Sequence, residues 1–222
     1  MRKIRILILF SICFQIMTAQ DELTINYDSI KTKTENTKST YYYPKLLDRF
    51  NDCDETLTLE EYAIIYYGFT FQKEYLNKQP DEKILNELLK KEDYKQLEIE
   101  CRRILGQNPV SLSANDNLGY ALFKQGRKEA EWKKYQKRYR AIRKVIVYSG
   151  NGLSCETAFK VIYVSDEYNI LYSYFQVEEI NKQTLDGLCD KFDILPTEFY
   201  KSKTVYFDIS RKLIRQEELI NK

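Results

Sequence analysis

The chain has 222 residues, with 35 basic and 33 acidic side chains, a formal net charge of +2 and no histidine. The lack of histidine excludes a Ser-His-Asp triad, histidine-ligated zinc and imidazole acid–base catalysis. A net charge this small provides no overall field that would favour nucleic acid as a partner.

The first twenty residues have the pattern of a secretory signal peptide. Arg2, Lys3 and Arg5 form a basic start, residues 6–17 are apolar, and Thr18-Ala19-Gln20 precedes acidic residues. An uncleaved anchor is the alternative, but the apolar run is shorter than the roughly 20 residues that span a bilayer. The sequence therefore predicts export to the periplasm or outside the cell, with no transmembrane span after cleavage. Cleavage would leave 32 basic residues against 33 acidic ones, a net charge of −1.

Residues 21–40 are polar and rich in lysine and threonine, which predicts a flexible segment with little core. The folded part is expected to start at Tyr41-Tyr42-Tyr43, with a helical region over residues 41–148. Three consecutive tyrosines can form an aromatic platform for a sugar. Packing of amphipathic rings at the domain edge is the interpretation we favour.

Two helix starts are marked by capping residues. Thr58 followed by Glu61 is the pattern of a capping box, in which each side chain bonds to the backbone of the other residue. Pro80-Asp81 predicts a second start with Asp81 as the N-cap. The apolar residues between 84 and 89 follow it at helical spacing.

The stretch from Lys91 to Lys144 resembles tetratricopeptide repeats, which stack helix pairs around a concave binding groove. Leu97, Cys101 and Ile104 share a helical face that ends at Pro109, as in the second helix of such a repeat. Gly119 would allow close helix approach, and Gly126 suits a helix C-cap. An ordinary helical hairpin is the equally weighted alternative. The residues expected to line the groove are Leu97, Asn115, Leu118 and Leu122.

The helix predicted from Arg127 to Val147 is both basic and aromatic. Apolar residues at spacings of three and four predict a core-facing seam, formed by Trp132, Tyr135, Tyr139, Ile142 and Ile146. Lys133, Lys137 and Arg140 lie between them. A solvated basic face is the favoured interpretation, and contact with anionic envelope glycans or lipid headgroups is the weaker functional one.

After Ser149-Gly150-Asn151-Gly152 the hydrophobic period changes from helical to alternating. A turn is expected at 166–169 and a short charged helix at 213–220. The predicted fold class is α+β, with tetratricopeptide-like antiparallel helices followed by a small antiparallel β-sheet region, residues 149–222, packed on the helices. The predicted strands are residues 159–163, 170–177, 191–194 and 205–209.

Several short motifs are similar to those of a known family. They are Tyr43-Pro44-Lys45-Leu46-Leu47, Leu57-Thr58-Leu59-Glu60-Glu61-Tyr62, Tyr66-Tyr67-Gly68-Phe69, the segment Gly150 to Phe159, and Val164-Ser165-Asp166-Glu167-Tyr168. They resemble the domain of unknown function 4919 family of exported proteins from Bacteroidetes-type bacteria, over nearly all of the mature chain. The resemblance implies an exported location and helices followed by a sheet. It implies no activity.

The four cysteines of the mature chain, Cys53, Cys101, Cys155 and Cys189, show no close paired spacing, so we expect no metal site. Export would permit a disulfide, but spacing alone does not choose its partners. Cys101 lies on a predicted core face and is expected to be a buried free thiol.

Carboxylates are the only candidate catalysts, because paired acids can hydrolyse glycosides. The acids considered in the sheet region are Asp166 and Glu167, with Glu178 and Asp190. Two functions stay open. The first is a non-catalytic interaction or assembly scaffold in the cell envelope, holding another envelope protein or peptide. The second is a small carboxylate-dependent hydrolase or binding module acting on envelope glycan. Neither requires a cofactor, and nucleic acid is not expected.

Overall fold

The computed structural model describes residues 23–75 and 82–220, and it places helices first and a small sheet afterwards. The predicted signal peptide and the predicted N-cap Asp81 lie outside the described residues. The α-helices are α1 (Tyr27–Glu35), α2 (Tyr43–Asn51), α3 (Leu59–Gly68), α4 (Glu82–Lys90), α5 (Tyr94–Leu105), α6 (Leu112–Lys124), α7 (Glu129–Val147), α8 (Val164–Asn169) and α9 (Ser210–Ile220). A 3₁₀ turn (Phe69–Phe71) follows α3, and a π-helix (Ile170–Tyr174) continues α8. The strands are β1 (Phe159–Lys160), β2 (Ile180–Asp186), β3 (Cys189–Ile194) and β4 (Thr204–Asp208).

The main hydrophobic core is built around α3. Residues 63–68 of this helix are all buried, as expected of a helix that is apolar on every side. The capping box predicted at its start is confirmed, because Thr58 and Glu61 bond reciprocally. Side chains from both predicted regions, 41–148 and 149–222, enter this one core. They include Leu46 and Phe50 of α2, Ile142 and Ile146 of α7, and Phe192, Val205 and Phe207 of the sheet.

A second, separate core lies among the later helices. Short connections make α4, α5, α6 and α7 neighbours in turn. This helical core contains Leu85 of α4, Leu97 of α5, Leu118 of α6 and Tyr135 of α7. α7 is 19 residues long and reaches both cores, because Tyr139, Ile142 and Ile146 further along it belong to the main core.

The sheet is mixed, with the order β1-β4-β3-β2. β3 pairs with β2 and with β4 in antiparallel fashion, but β1 pairs with β4 in parallel, with Phe159 opposite Phe207. The sequence predicts a fully antiparallel sheet, and this prediction is wrong for β1, which is parallel to β4. A disulfide between Cys155 and Cys189 ties the loop before β1 to the start of β3.

Two predicted segments differ from the structure. Residues 21–40 were expected to be flexible, but residues 27–35 form α1, because Asn26 caps the helix and Ile30 is buried in the main core. The strand expected at 170–177 is instead the π-helix and its exit, since Ile170, Leu171 and Phe175 are buried on one side of it. Neither α7 nor any other helix in the described ranges is long and apolar enough to cross a membrane.

Candidate functional site

The residues predicted to line a tetratricopeptide-like groove are buried. Leu97, Leu118 and Leu122 pack in the helical core, and none is more than 1% exposed. Asn115 is also fully buried and donates its side-chain amide to the carbonyls of Pro109 and Ser111. These four side chains hold the helices together, so they do not form an accessible binding groove. The tetratricopeptide interpretation itself stays a prediction.

The two candidate acids lie side by side at the start of α8 and both are buried, rather than exposed in a turn. Asp166 accepts a 2.6 Å hydrogen bond from the Tyr66 hydroxyl, deep in the main core. Glu167 is 0% exposed, and no described residue donates a hydrogen bond to either of its carboxyl oxygens. Glu178, in contrast, is exposed. The arrangement gives a substrate no access to a pair of acids.

Burial, together with the nearby Asp190 carboxylate, raises the pKa of Glu167 to about 10. A carboxyl with that pKa is protonated and neutral at pH 7. A raised pKa often marks a general acid, but such an acid must come within hydrogen-bond reach of a substrate. With Asp190 only 8% exposed as well, the pair is part of the interior.

An open groove runs along α7, and we call it the α7 groove. It has a volume of about 650 Å³ and lies between α7 and the loop after α2. Glu55 of that loop forms a 2.9 Å ion pair with Lys137. The lining residues are Cys53, Glu55, Ala130, Trp132, Lys133, Lys134, Gln136, Lys137 and Arg140.

Positive charge dominates the α7 groove, since its lining has four cationic side chains and one carboxylate. Lys133 pairs with Glu129 and Lys137 with Glu55, and the hydrogen bond that Lys137 donates to Glu55 raises the pKa of Lys137. Both carboxylates are well exposed, at 63% and 86%. Exposed pairs contribute only about 0–1 kcal/mol, so an incoming carboxylate can replace them at little cost.

Trp132 provides the apolar part of the α7 groove. One side of its ring packs against the helical core, and Phe123 lies edge-on to it with ring centroids 5.5 Å apart. Gly119 holds α6 close to α7, because a Cβ there would lie 3.3 Å from the Trp132 carbonyl oxygen. The predicted close helix approach at Gly119 is thus confirmed. The prediction for Trp132 is corrected, since this ring is half-buried and lines a surface instead of lying wholly in the core.

Other sequence expectations have mixed outcomes. Tyr43 is buried and donates to the Ile65 carbonyl, and Lys33 lies over the Tyr41 ring, so the three tyrosines form no free platform. Cys101 is confirmed as buried, and it takes no part in the disulfide of the described residues. Arg138 is one of the basic residues of α7, yet it is buried over the Phe50 ring and is not part of a solvated face. Across the described ranges, no three metal-ligating side chains come together.

Comparisons with known proteins identify one family. Residues 28–218 match the family described as Domain of unknown function (DUF4919). No curated protein and no solved structure matches the chain. The function therefore has to be inferred from the chemistry of the surface.

Proposed function

Since the chain belongs to the Domain of unknown function (DUF4919) family, whose description assigns no activity, we propose a function from the structure. We propose that the protein is a non-catalytic interaction module of the cell envelope, and that its α7 groove holds an acidic segment of another exported protein. The observation that carries the proposal is the placement of Trp132 among Lys133, Lys134, Lys137 and Arg140 in one open groove.

Charge complementarity supports an acidic occupant. A groove lined by one sign of charge concentrates its field and attracts ligands of the opposite charge. Carboxylates of a partner would replace the exposed Glu129 and Glu55 on Lys133 and Lys137. Lys134 and Arg140 are exposed as well, so they add further positive charge along the same helix.

The aromatic residues support a polypeptide as the occupant. Interfaces between proteins are enriched in Trp, Tyr, Phe and Arg, and a few buried aromatic anchors supply most of their affinity. Trp132 in the lining of the α7 groove, with the 54%-exposed Phe123 packed edge-on against it, supplies such an anchor. An apolar side chain next to acidic ones is therefore the partner segment that fits best.

The disulfide supports an exported location for this interaction. Disulfides persist in the periplasm and outside cells and are rare in the cytosol. The Cys155–Cys189 bond is therefore in keeping with the signal-peptide pattern of residues 1–20. Both observations support a partner among envelope or secreted proteins.

The test is a zero-length carbodiimide crosslink in the native envelope, which joins lysine amines to carboxylates and therefore detects the contact that we propose. Mass spectrometry should map links from Lys133, Lys134 or Lys137 to Asp or Glu of one reproducible partner. The triple variant Lys133→Glu, Lys137→Glu, Arg140→Glu should lose that partner. The matched sheet control Lys182→Glu, Lys201→Glu, Lys203→Glu reverses exposed lysines in β2 and just before β4 and should keep it.

Trp132 is the only tryptophan in the chain, so its fluorescence reports on the α7 groove directly. Titration with poly-glutamate should change the emission of the wild type and of the sheet control, but not of the α7 triple variant. A partner retained by the α7 triple variant would refute the proposal. The proposal would also be overturned if the wild type were recovered without any crosslinked partner. The same holds if the protein bound anionic lipid vesicles through Lys133, Lys137 and Arg140.

A further inference from the structure

A second open pocket lies between α4 and the continuous α8 and π-helix. Its volume is about 540 Å³, within the range of small-molecule sites. α8 and the π-helix contribute one stripe of side chains at spacings of three and four, and α4 contributes Asn86. The lining residues are Asn86, Val164, Ser165, Tyr168, Asn169, Tyr172 and Ser173. We call this the tyrosine pocket.

Two nearly parallel tyrosine rings form one wall of the tyrosine pocket. Tyr168 and Tyr172 are stacked with an interplanar angle of 22° and centroids 6.2 Å apart. Tyr168 is fixed in place, since its hydroxyl donates a 2.6 Å hydrogen bond to Gln183 and its ring meets Phe192 edge-on. Tyr172 is 48% exposed, so it presents a large part of its ring to solvent. The ring stacks against Tyr168, which these contacts hold in place.

The π-helix is the reason that these groups converge. Phe175 donates its backbone N–H to Ile170, a five-residue step that widens this turn. Such turns are rare and frequently occur at functional sites. Here the wide turn lets Ile170, Leu171 and Phe175 enter the main core while Tyr172 and Ser173 remain exposed.

The polar groups of the tyrosine pocket are hydroxyls and amides, and none of its described lining residues carries a formal charge. Ser165, Ser173, Asn86 and Asn169 can each both donate and accept hydrogen bonds. The Tyr139 hydroxyl donates to Oδ1 of Asn169, so this oxygen is already bonded within the protein. The α7 groove is cationic and the lining of the tyrosine pocket is uncharged, so the two sites suit different classes of ligand.

We propose that the tyrosine pocket binds a neutral carbohydrate chain. A sugar has a flat apolar face that fits an exposed aromatic ring, and its hydroxyls match uncharged groups that both donate and accept. An anionic ligand would find no cation in the described lining, and an apolar ligand would cover hydroxyl and amide groups without forming hydrogen bonds to them. This inference stands independently of the partner proposed for the α7 groove.

The test is native affinity electrophoresis of the purified protein through gels that contain a soluble neutral glucan, mannan, xylan or galactan. We expect the wild type to be retarded in at least one gel. Tyr172→Ala should weaken that retention about tenfold, a change of about 1.4 kcal/mol, whereas Tyr172→Phe should keep most of it because the ring is preserved. As Tyr172 is half-exposed, its loss should leave the fold intact.

Two controls separate this site from other surfaces. Tyr120→Ala removes a tyrosine that is 40% exposed on α6, away from the tyrosine pocket, and should not change retention. The α7 triple variant should also be retarded like the wild type. Free mobility of the wild type in all four gels, or equal retardation of wild type and Tyr172→Ala, would overturn the proposal.

Discussion

Tyr66 donates a 2.6 Å hydrogen bond from its hydroxyl to Oδ2 of Asp166, although 100 residues separate the two in the chain. The same hydroxyl accepts a hydrogen bond from the backbone N–H of Ile162. Two neighbouring tyrosines act similarly, because Tyr67 donates to the Lys160 carbonyl and Tyr75 to the Ile162 carbonyl. Three phenol groups thus join α3 and the turn that follows the 3₁₀ helix to residues 160–166, from the end of β1 to the first turn of α8.

We expect Tyr66→Phe to lower the free energy of unfolding by about 1–3 kcal/mol, because two buried polar groups lose a partner while packing is preserved. Urea denaturation measures this, with an unchanged slope showing that the native state stays compact. Tyr172→Phe, at a half-exposed ring, is the control and should be nearly neutral. A difference between the two variants below ~0.5 kcal/mol would contradict the role given to this hydroxyl.

Glu167→Gln should make stability less dependent on pH. The folded pKa of Glu167 is about 10 against an ordinary value of 4.5, so the folded state holds an extra proton between these values. Stability of the wild type therefore falls as pH rises through this window, by up to about 1.4 kcal/mol per pH unit.

The Glu167→Gln variant lacks this titration. The free energy of unfolding of the variant, relative to that of the wild type, should therefore increase from pH 6 to pH 9 in thermal or urea unfolding. Glu178→Gln changes an exposed acid, and its stability should vary with pH in the same way as that of the wild type. Parallel curves for Glu167→Gln and the wild type would show that Glu167 does not stay protonated in the fold.

Replacing both Cys155 and Cys189 by serine should cost roughly 2–4 kcal/mol, because the bond closes a loop of 34 residues in the unfolded chain. Reductant should lower the melting temperature of the wild type and leave that of the double variant unchanged. Cys53→Ser removes a free thiol and is the matched control. Equal masses of the alkylated protein with and without prior reduction would exclude the bond.

Gly152→Ala should destabilise the protein by more than ~2 kcal/mol, through a left-handed backbone and a steric clash together. Gly152 has φ +71°, and a Cβ there would lie 2.4 Å from the Phe159 ring. Gly187 has a similar φ of +64° but open space around it. Gly187→Ala should therefore lower the free energy of unfolding only by the cost of the left-handed backbone. Equal destabilisation by Gly152→Ala and Gly187→Ala would refute the contribution of the clash with Phe159.

Strong helical periodicity made the helical part of the fold predictable. The capping box at Thr58 and the close approach at Gly119 follow from local chemistry that the structure retains. The same periodicity cannot say whether an apolar stripe faces a core or a partner. Leu97 and Leu118, expected in a groove, are core residues for that reason.

The sheet region was harder to predict, because its structure depends on contacts between distant parts of the chain. β2 is an edge strand with mostly exposed residues on both faces, so it lacks the alternation that marks a strand. Residues 170–177 are aromatic and β-branched and therefore favour a strand locally, yet burial of Ile170, Leu171 and Phe175 produces a π-helix. Likewise, only the fold brings Cys155 to Cys189.

The separation of the two cores has a consequence for dynamics. α4 and α5 contribute to the helical core alone, while α1, α3 and the sheet belong to the main core. Elements that share no core can open independently, as cooperative subunits of different stability. We expect the amides of α5 to exchange with deuterium in a separate, faster class than those of α3. α7 reaches both cores, and its first turns pack in the helical core. A ligand bound to these turns would therefore slow deuterium exchange of the α5 amides and leave exchange of the α3 amides unchanged.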